Sequence, residues 1–178
     1  MKMIIILLFV TSVVHAQKDR FESEARSLVS DLKMSLMKNL SEKIAKEGVL
    51  EAVPFCHENV KNIAGGAAKE RVAKYEFGRT SHKVRNSLNT PQPWAIKYLD
   101  EFAGKKKSEV NKTFIIHKAS DSKRIYLEPL YVEAKCLLCH GENVNKDVMA
   151  KIQVLYPNDQ AIGFKRGEFR GFIWVKEK

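Results

Sequence analysis

Residues 113–140, TFIIHKASDSKRIYLEPLYVEAKCLLCH, hold two runs rich in β-branched and aromatic residues, Thr113–Lys118 and Arg124–Val132. Between them stands the turn-prone Ser120-Asp121-Ser122. Two such runs around a polar turn read as paired antiparallel strands. The second run leads at once into Cys136-Leu137-Leu138-Cys139-His140, so whatever that motif does is done at the end of a strand.

Upstream, Trp94, Ile96, Tyr98, Leu99 and Phe102 follow Pro93 at spacings that suit a short helix. Residues 67–91 are rich in Gly, Asn, Ser and Arg and read as a structured loop with short elements. Farther back, Phe21, Ala25, Leu28, Val29, Leu32, Leu36, Leu40 and Ile44 recur every three or four residues. That pattern predicts an amphipathic helix of about seven turns ending near Gly48. A second helical stretch is expected from about Val49 to Ala64, closed by Gly65-Gly66 and kinked or restarted at Pro54. Its apolar stripe is Val53, Cys56, Val60 and Ile63. Downstream, Lys146 to Leu155 reads as a helix, Pro157-Asn158-Asp159 as a turn, and Gly171–Lys176 as a last strand. Helices in front and strands behind predict an α+β domain.

The N-terminus has the pattern of a secretory leader: Lys2, an apolar run from Met3 to Val14, and Val14-His15-Ala16 at the cleavage position. Cleavage is expected after Ala16. The apolar run stops at Gln17-Lys18-Asp19-Arg20, short of the roughly 20 residues a membrane span requires. Residues 17–178 then form a single domain, with a periplasmic location expected. The formal charge of +10 falls to +9 with the loss of Lys2, an excess that favours anionic surfaces or acidic protein partners. Nucleic acid fits poorly, since no binding motif is present and the basic residues are scattered apart from Lys105-Lys106-Lys107, which reads as a solvated loop.

Three cysteines are an odd number for a secreted disulfide framework. Two of them form the Cys-x-x-Cys-His sequence by which c-type haem is attached. The spacing places two thiols on one turn, where each can form a thioether with a porphyrin vinyl group. The adjacent His140 is carried beneath the iron as proximal ligand. One covalent haem c is therefore predicted at Cys136, Cys139 and His140. A thioredoxin-like CxxC belongs early in a βαβ unit, whereas this one follows a strand pair. A zinc site would need four ligands, and Cys56, His57, Cys136 and Cys139 are the available set.

The candidates for the second axial position are Met34, Met37, Met149, His57, His82, His117 and Cys56. Met149 lies only nine residues after His140, so its chain would have to double back sharply. Met34 and Met37 sit on the long helix, where methionine is more often core filler. Cys56 lies on the apolar stripe and faces inward. It reads equally well as a ligand and as a small buried hydrophobe. His57 is rotated about 100° from that stripe and belongs at the rim or in solvent.

The chain resembles the Tll0287-like haem-binding family. The resemblance rests on Ala52-Val53-Pro54-Phe55-Cys56; on Gly78-Arg79-Thr80-Ser81 with Arg85-Asn86 and Asn89; on the haem motif; and on a tail with Tyr156-Pro157-Asn158-Asp159, Ala161, Gly163, Gly167, Arg170 and Gly171. It implies a PAS-like antiparallel sheet flanked by helices, with a long N-terminal helix. It also implies haem iron held by the motif histidine and a cysteine thiolate, here His140 and Cys56, with His57 as a local rival. Arg79, Arg85 and Asn86 fit two roles equally: hydrogen-bonding the haem propionates, because guanidinium forks suit carboxylates, or stabilising a loop. Trp94 and Tyr126 are expected in the core.

An iron with two protein ligands has no open site, so the expected function is low-potential electron transfer or redox sensing by an exported mono-haem c-type cytochrome. Reduction, or a small ligand such as CO or NO, is expected to displace Cys56 and move its helix. A gas-sensing module is the alternative. A peroxidase-type enzyme would need an open iron and a distal acid–base pair. His82 or His117 could supply a base, but the spacing shows no such pair.

Overall fold

Four strands, β1 (Tyr75–Thr80), β2 (Ile115–Lys118), β3 (Arg124–Tyr131) and β4 (Phe169–Glu177), form one antiparallel sheet in the order β1-β4-β3-β2. They belong to a computed structural model that describes residues 3–68 and 71–178, with side chains from Arg20 onward save those of residues 58–65 and 67. The expected leader over residues 1–16 lies outside the described side chains, as do Val60 and Ile63 of the second stripe. No helix among the described residues is long and apolar enough to cross a membrane.

The sheet is covered on both sides. Alternation along β3 sends Tyr126 to one face and Ile125 and Leu127 to the other. On the first face, Phe21, Ala25, Leu28, Val29 and Leu32 of α1 (Met3–Ala67) bury Tyr75, Tyr126, Ile173 and Val175. On the second, Ala95, Leu99 and Phe102 of α2 (Pro93–Phe102) pack on Ile125, Leu127, Phe169 and Phe172. The result is the α+β fold that the sequence predicts, an antiparallel sheet between helices with the long N-terminal helix that the resemblance implies. Tyr126 is fully buried and Trp94 half-buried. The stripe of α1 is fully buried only as far as Leu32; Leu36, Leu40 and Ile44 are half-buried.

Three expectations need correction. Residues 75–80 are a strand rather than loop, paired with β4 from Tyr75↔Glu177 to Thr80↔Phe172. Gly78 hides that strand from sequence reading, yet it is required there: an added Cβ would lie 2.6 Å from Cζ2 of the Trp174 indole. The break in α1 falls at Gly48 (φ 87°, ψ 172°), while Pro54 stays inside the helix. That backbone conformation is open to glycine and costly for other residues, and nothing lies within 4 Å of an added Cβ. Third, the arm after Gly48 runs on through Gly65-Gly66 to Ala67, because two glycines lower helix propensity by only about 1 kcal/mol each.

Candidate functional site

Cys136 closes a 3₁₀ turn (Ala134–Cys136), and Leu137–His140 follows as the one-turn helix α3. The segment after α4 (Lys146–Leu155) returns to hold this turn. Phe164 N–H donates to the His140 carbonyl at 2.9 Å, and Gly163 N–H to the Gly141 carbonyl at 3.0 Å. His140 Nδ1 lies 2.6 Å from the Ala161 carbonyl oxygen. A carbonyl can only accept, so Nδ1 carries the proton and the Nε2 lone pair is left free. Burial, reinforced by the charges of Arg85 and Arg170, holds the imidazole well below its usual pKa. The ring is therefore neutral, tautomerically fixed and oriented, the state required of a metal-ligating histidine.

Arg85 ties this arrangement together. Its Nε and Nη2 donate to the two carboxylate oxygens of Asp159 at 3.1 and 2.9 Å. Nη2 also reaches the carbonyls of Cys139 at 2.6 Å and Ala161 at 3.3 Å. Asp159 Oδ1 in turn accepts from the Ala161 N–H at 2.8 Å. The ion pair is nearly dry, with 12% and 6% of the two side chains exposed. Arg85 thus grips both the carbonyl end of the motif and the acceptor of the His140 proton.

The kink at Gly48 brings Cys56 to this turn. The arm beyond it docks on α4, where Val53, Val148 and Ile152 form a small core together with Val49, Cys139 and Tyr156. Cys56 is half-buried and free, as are Cys136 and Cys139. Burial, and then the neighbouring Cys139, push the Cys56 thiol up, whereas Arg79 and Arg85 pull it down. A residue eighty positions before the motif in sequence is its electrostatic neighbour in space. His57 is exposed, with its ring edge-on to Tyr156 at 4.8 Å.

The other candidates fall elsewhere. Met34 is 61% exposed on α1. His117 is hydrogen-bonded to the Tyr98 hydroxyl at 3.1 Å and stacks near Trp94, against the α2 side of the sheet. His82 stacks on Phe169 and borders Phe164, which separates it from His140. Asn86 accepts from the Leu88 N–H at 3.0 Å and caps the 3₁₀ turn Ser87–Asn89. Arg79 follows Tyr75 and Phe77 on the α1 face of β1 and is charge-coupled to Cys56, Cys136 and Arg85. Sequence reasoning did not single out Asp159, Ala161 or Arg170 as site residues; no spacing rule links them to a motif some twenty to thirty residues away.

A neutral imidazole with a free Nε2, a thiol brought in from another element and two motif thiols on one turn make a donor set of the kind that fits a covalently held haem. The chain is thus an α+β domain with a candidate cysteine–histidine site at the motif turn. Residues 11–177 match the model of the Tll0287-like family, and the chain belongs to that family. It is also similar to a solved structure described as the cyanobacterial heme-protein Tll0287, with 23% identity and a TM-score of 0.52. That match covers 93% of this chain and 92% of the other, and supports the fold. No curated protein matches.

Proposed function

We propose that this chain binds haem, carrying one haem c joined through Cys136 and Cys139 and held axially by His140 and Cys56. We infer that it serves low-potential electron transfer or redox sensing in the periplasm. When bound, the haem supplies one-electron redox chemistry at its iron. One observation supports the reading: a neutral His140, fixed through Nδ1 by the Ala161 carbonyl, lies beside two free thiols, with Cys56 within electrostatic reach of Cys139. The similar solved structure is described as a heme protein, which supports the same cofactor here.

The protein's part is orientation and charge. Ala161 and Arg85 hold the imidazole and the Cys139 carbonyl in place. Arg79 and Arg85 favour the thiolate form of Cys56 against the opposing effect of burial. A thiolate donor stabilises the oxidised metal and lowers the potential. The net charge of +10 suits an acidic redox partner.

Protein matured with the cytochrome c assembly machinery should give a pyridine haemochrome of one covalent haem per chain, and its ferric spectrum should be low-spin with thiolate character. Cys56→Ser should retain the covalent haem and lose the thiolate bands. A colourless mature protein would overturn the haem reading. Ferric and ferrous spectra identical to wild type in Cys56→Ser would overturn the ligand assignment alone.

A further inference from the structure

Three guanidinium groups meet beside the motif, and among the described residues one carboxylate, Asp159, pairs with them. Arg79, Arg85 and Arg170 line one pocket together with Lys83 and Leu130. Asp159 is engaged through both oxygens by Arg85. The Arg79 side chain makes no hydrogen bond or ion pair among the described residues, although its backbone stands in the β1–β4 ladder opposite Ile173. Arg170 Nη1 donates to Ser81 Oγ at 2.7 Å and to the Lys83 carbonyl at 3.0 Å, and its guanidinium lies 5.1 Å from the Phe164 ring centroid, so none of its described contacts is to an anion. Its Nε is buried with no partner. Such an orphaned buried donor is unfavourable, and a partly buried guanidinium without a counter-charge adds to that cost.

The electrostatics agree. Burial, followed by the like charges of Arg79 and Arg85, pushes Arg170 down to about 9. Burial likewise lowers Arg79. A guanidinium keeps its proton in proteins, so this frustration is relieved by an anion rather than by deprotonation. Cys136 and Cys56 are among the groups charge-coupled to Arg79, and Cys136 and Asp159 to Arg170. The vacant donors therefore adjoin the turn that would carry the cofactor.

We propose that Arg79 and Arg170 seat the two propionate carboxylates of the bound haem, one guanidinium to each, while Arg85 serves as a positioning residue for His140. This rests on the haem reading above. The charges match: two unpaired cations meet two carboxylates, and the third cation is already neutralised by Asp159. Arg–carboxylate forks are the strong, geometrically specific form of such contacts.

The test uses matured protein, comparing wild type with Arg79→Gln, Arg79→Lys and Arg170→Gln. Covalent haem is read by pyridine haemochrome, the carboxylates by the propionate bending bands in resonance Raman spectra, and the charge by the midpoint potential at fixed pH. Both Gln variants should keep one haem per chain, show shifted propionate bands and have a lower midpoint. Arg79→Lys should recover most of the midpoint but not the bands. Arg170 also supports the loop at Ser81, so Arg79→Gln, which removes no described protein hydrogen bond, is decisive if Arg170→Gln fails to fold. Unchanged bands and midpoint in Arg79→Gln, with haem present, would overturn the propionate seat and leave the haem reading intact. Absence of haem from wild type would overturn the haem reading itself.

Discussion

Asp159 does two things at once: it neutralises the buried Arg85 and fixes Ala161 through its backbone N–H. Ala161 acts on His140 through a carbonyl that no side-chain substitution can remove, so Asp159 is the mutational handle on the imidazole. Asp159→Asn leaves Arg85 charged and dry, at a cost of about 3 kcal/mol, the lower end for a broken buried pair because Asn can still accept one hydrogen bond. Urea unfolding should show that loss, and the ferric spectrum should broaden as the His140 ring loses its fixed partner. A loss below about 1 kcal/mol, the range of surface pairs, would mean that the pair is solvated. At this scale the sequence was legible where chemistry is local. Cys136, Cys139 and His140 could be singled out because one turn brings them together. By sequence Arg85 fits two roles equally, binding a propionate or stabilising a loop, and in the fold it pairs with Asp159 and the Cys139 carbonyl. The carboxylate it meets lies far along the chain, and only the folded structure shows that Asp159 is already there.

The arm of α1 beyond Gly48 is the element on which the site depends. Its direction follows from one residue in a backbone conformation that a Cβ makes unfavourable. Gly48→Ala should cost about 1–3 kcal/mol in a thermal or urea melt. If the helix straightens instead, Cys56 leaves α4 and the thiolate bands are lost while the covalent haem stays. An unchanged melt together with an unchanged spectrum would show that the kink is not needed. The helical periodicity was readable, and the end near Gly48 with it, because apolar spacing and glycine are both local signals. The strand at Tyr75–Thr80 was not, since a glycine and two charged residues dilute its alternation. What makes it a strand is the nine-residue β4 beside it and the indole of Trp174 over Gly78.

Across the whole molecule, polar contacts that titrate join α1 to the sheet and β3 to β4. The Tyr75 hydroxyl donates to Glu24 Oε2 at 2.6 Å, and Arg124 binds Glu177 through its backbone N–H and Nε at 2.8 and 2.9 Å. Burial, with the Glu24 hydrogen bond, pushes Tyr75 up to about 12 from 10.0. The folded state thus favours the neutral phenol, and this stability is complete below about pH 10 and lost as the pH rises towards 12. Glu24 is lowered from 4.5 chiefly by the Tyr75 hydrogen bond, and Glu177 chiefly by Arg124. Their contribution is present above pH 4.5 and lost as the pH falls below it. Urea midpoints should therefore form a plateau between these limits. Tyr75→Phe should flatten part of the alkaline fall, and Glu177→Gln part of the acid one. Limbs identical to wild type would show that these contacts do not carry the linkage.

From the order of residues alone came the α+β class, the helix and hairpin periodicities and the Cys136–His140 turn, because each depends on neighbours within a few positions. Resemblance to a family favoured Cys56 over the other ligand candidates. The folded structure alone decided that Cys56 comes within electrostatic reach of Cys139, that Arg85 pairs with Asp159, and that the Arg79 and Arg170 side chains form no ion pair among the described residues. These are matters of distance between remote segments and of charge balance in a desolvated space. Both arise only when the kinked helix, the last strand and the returning loop close on one another.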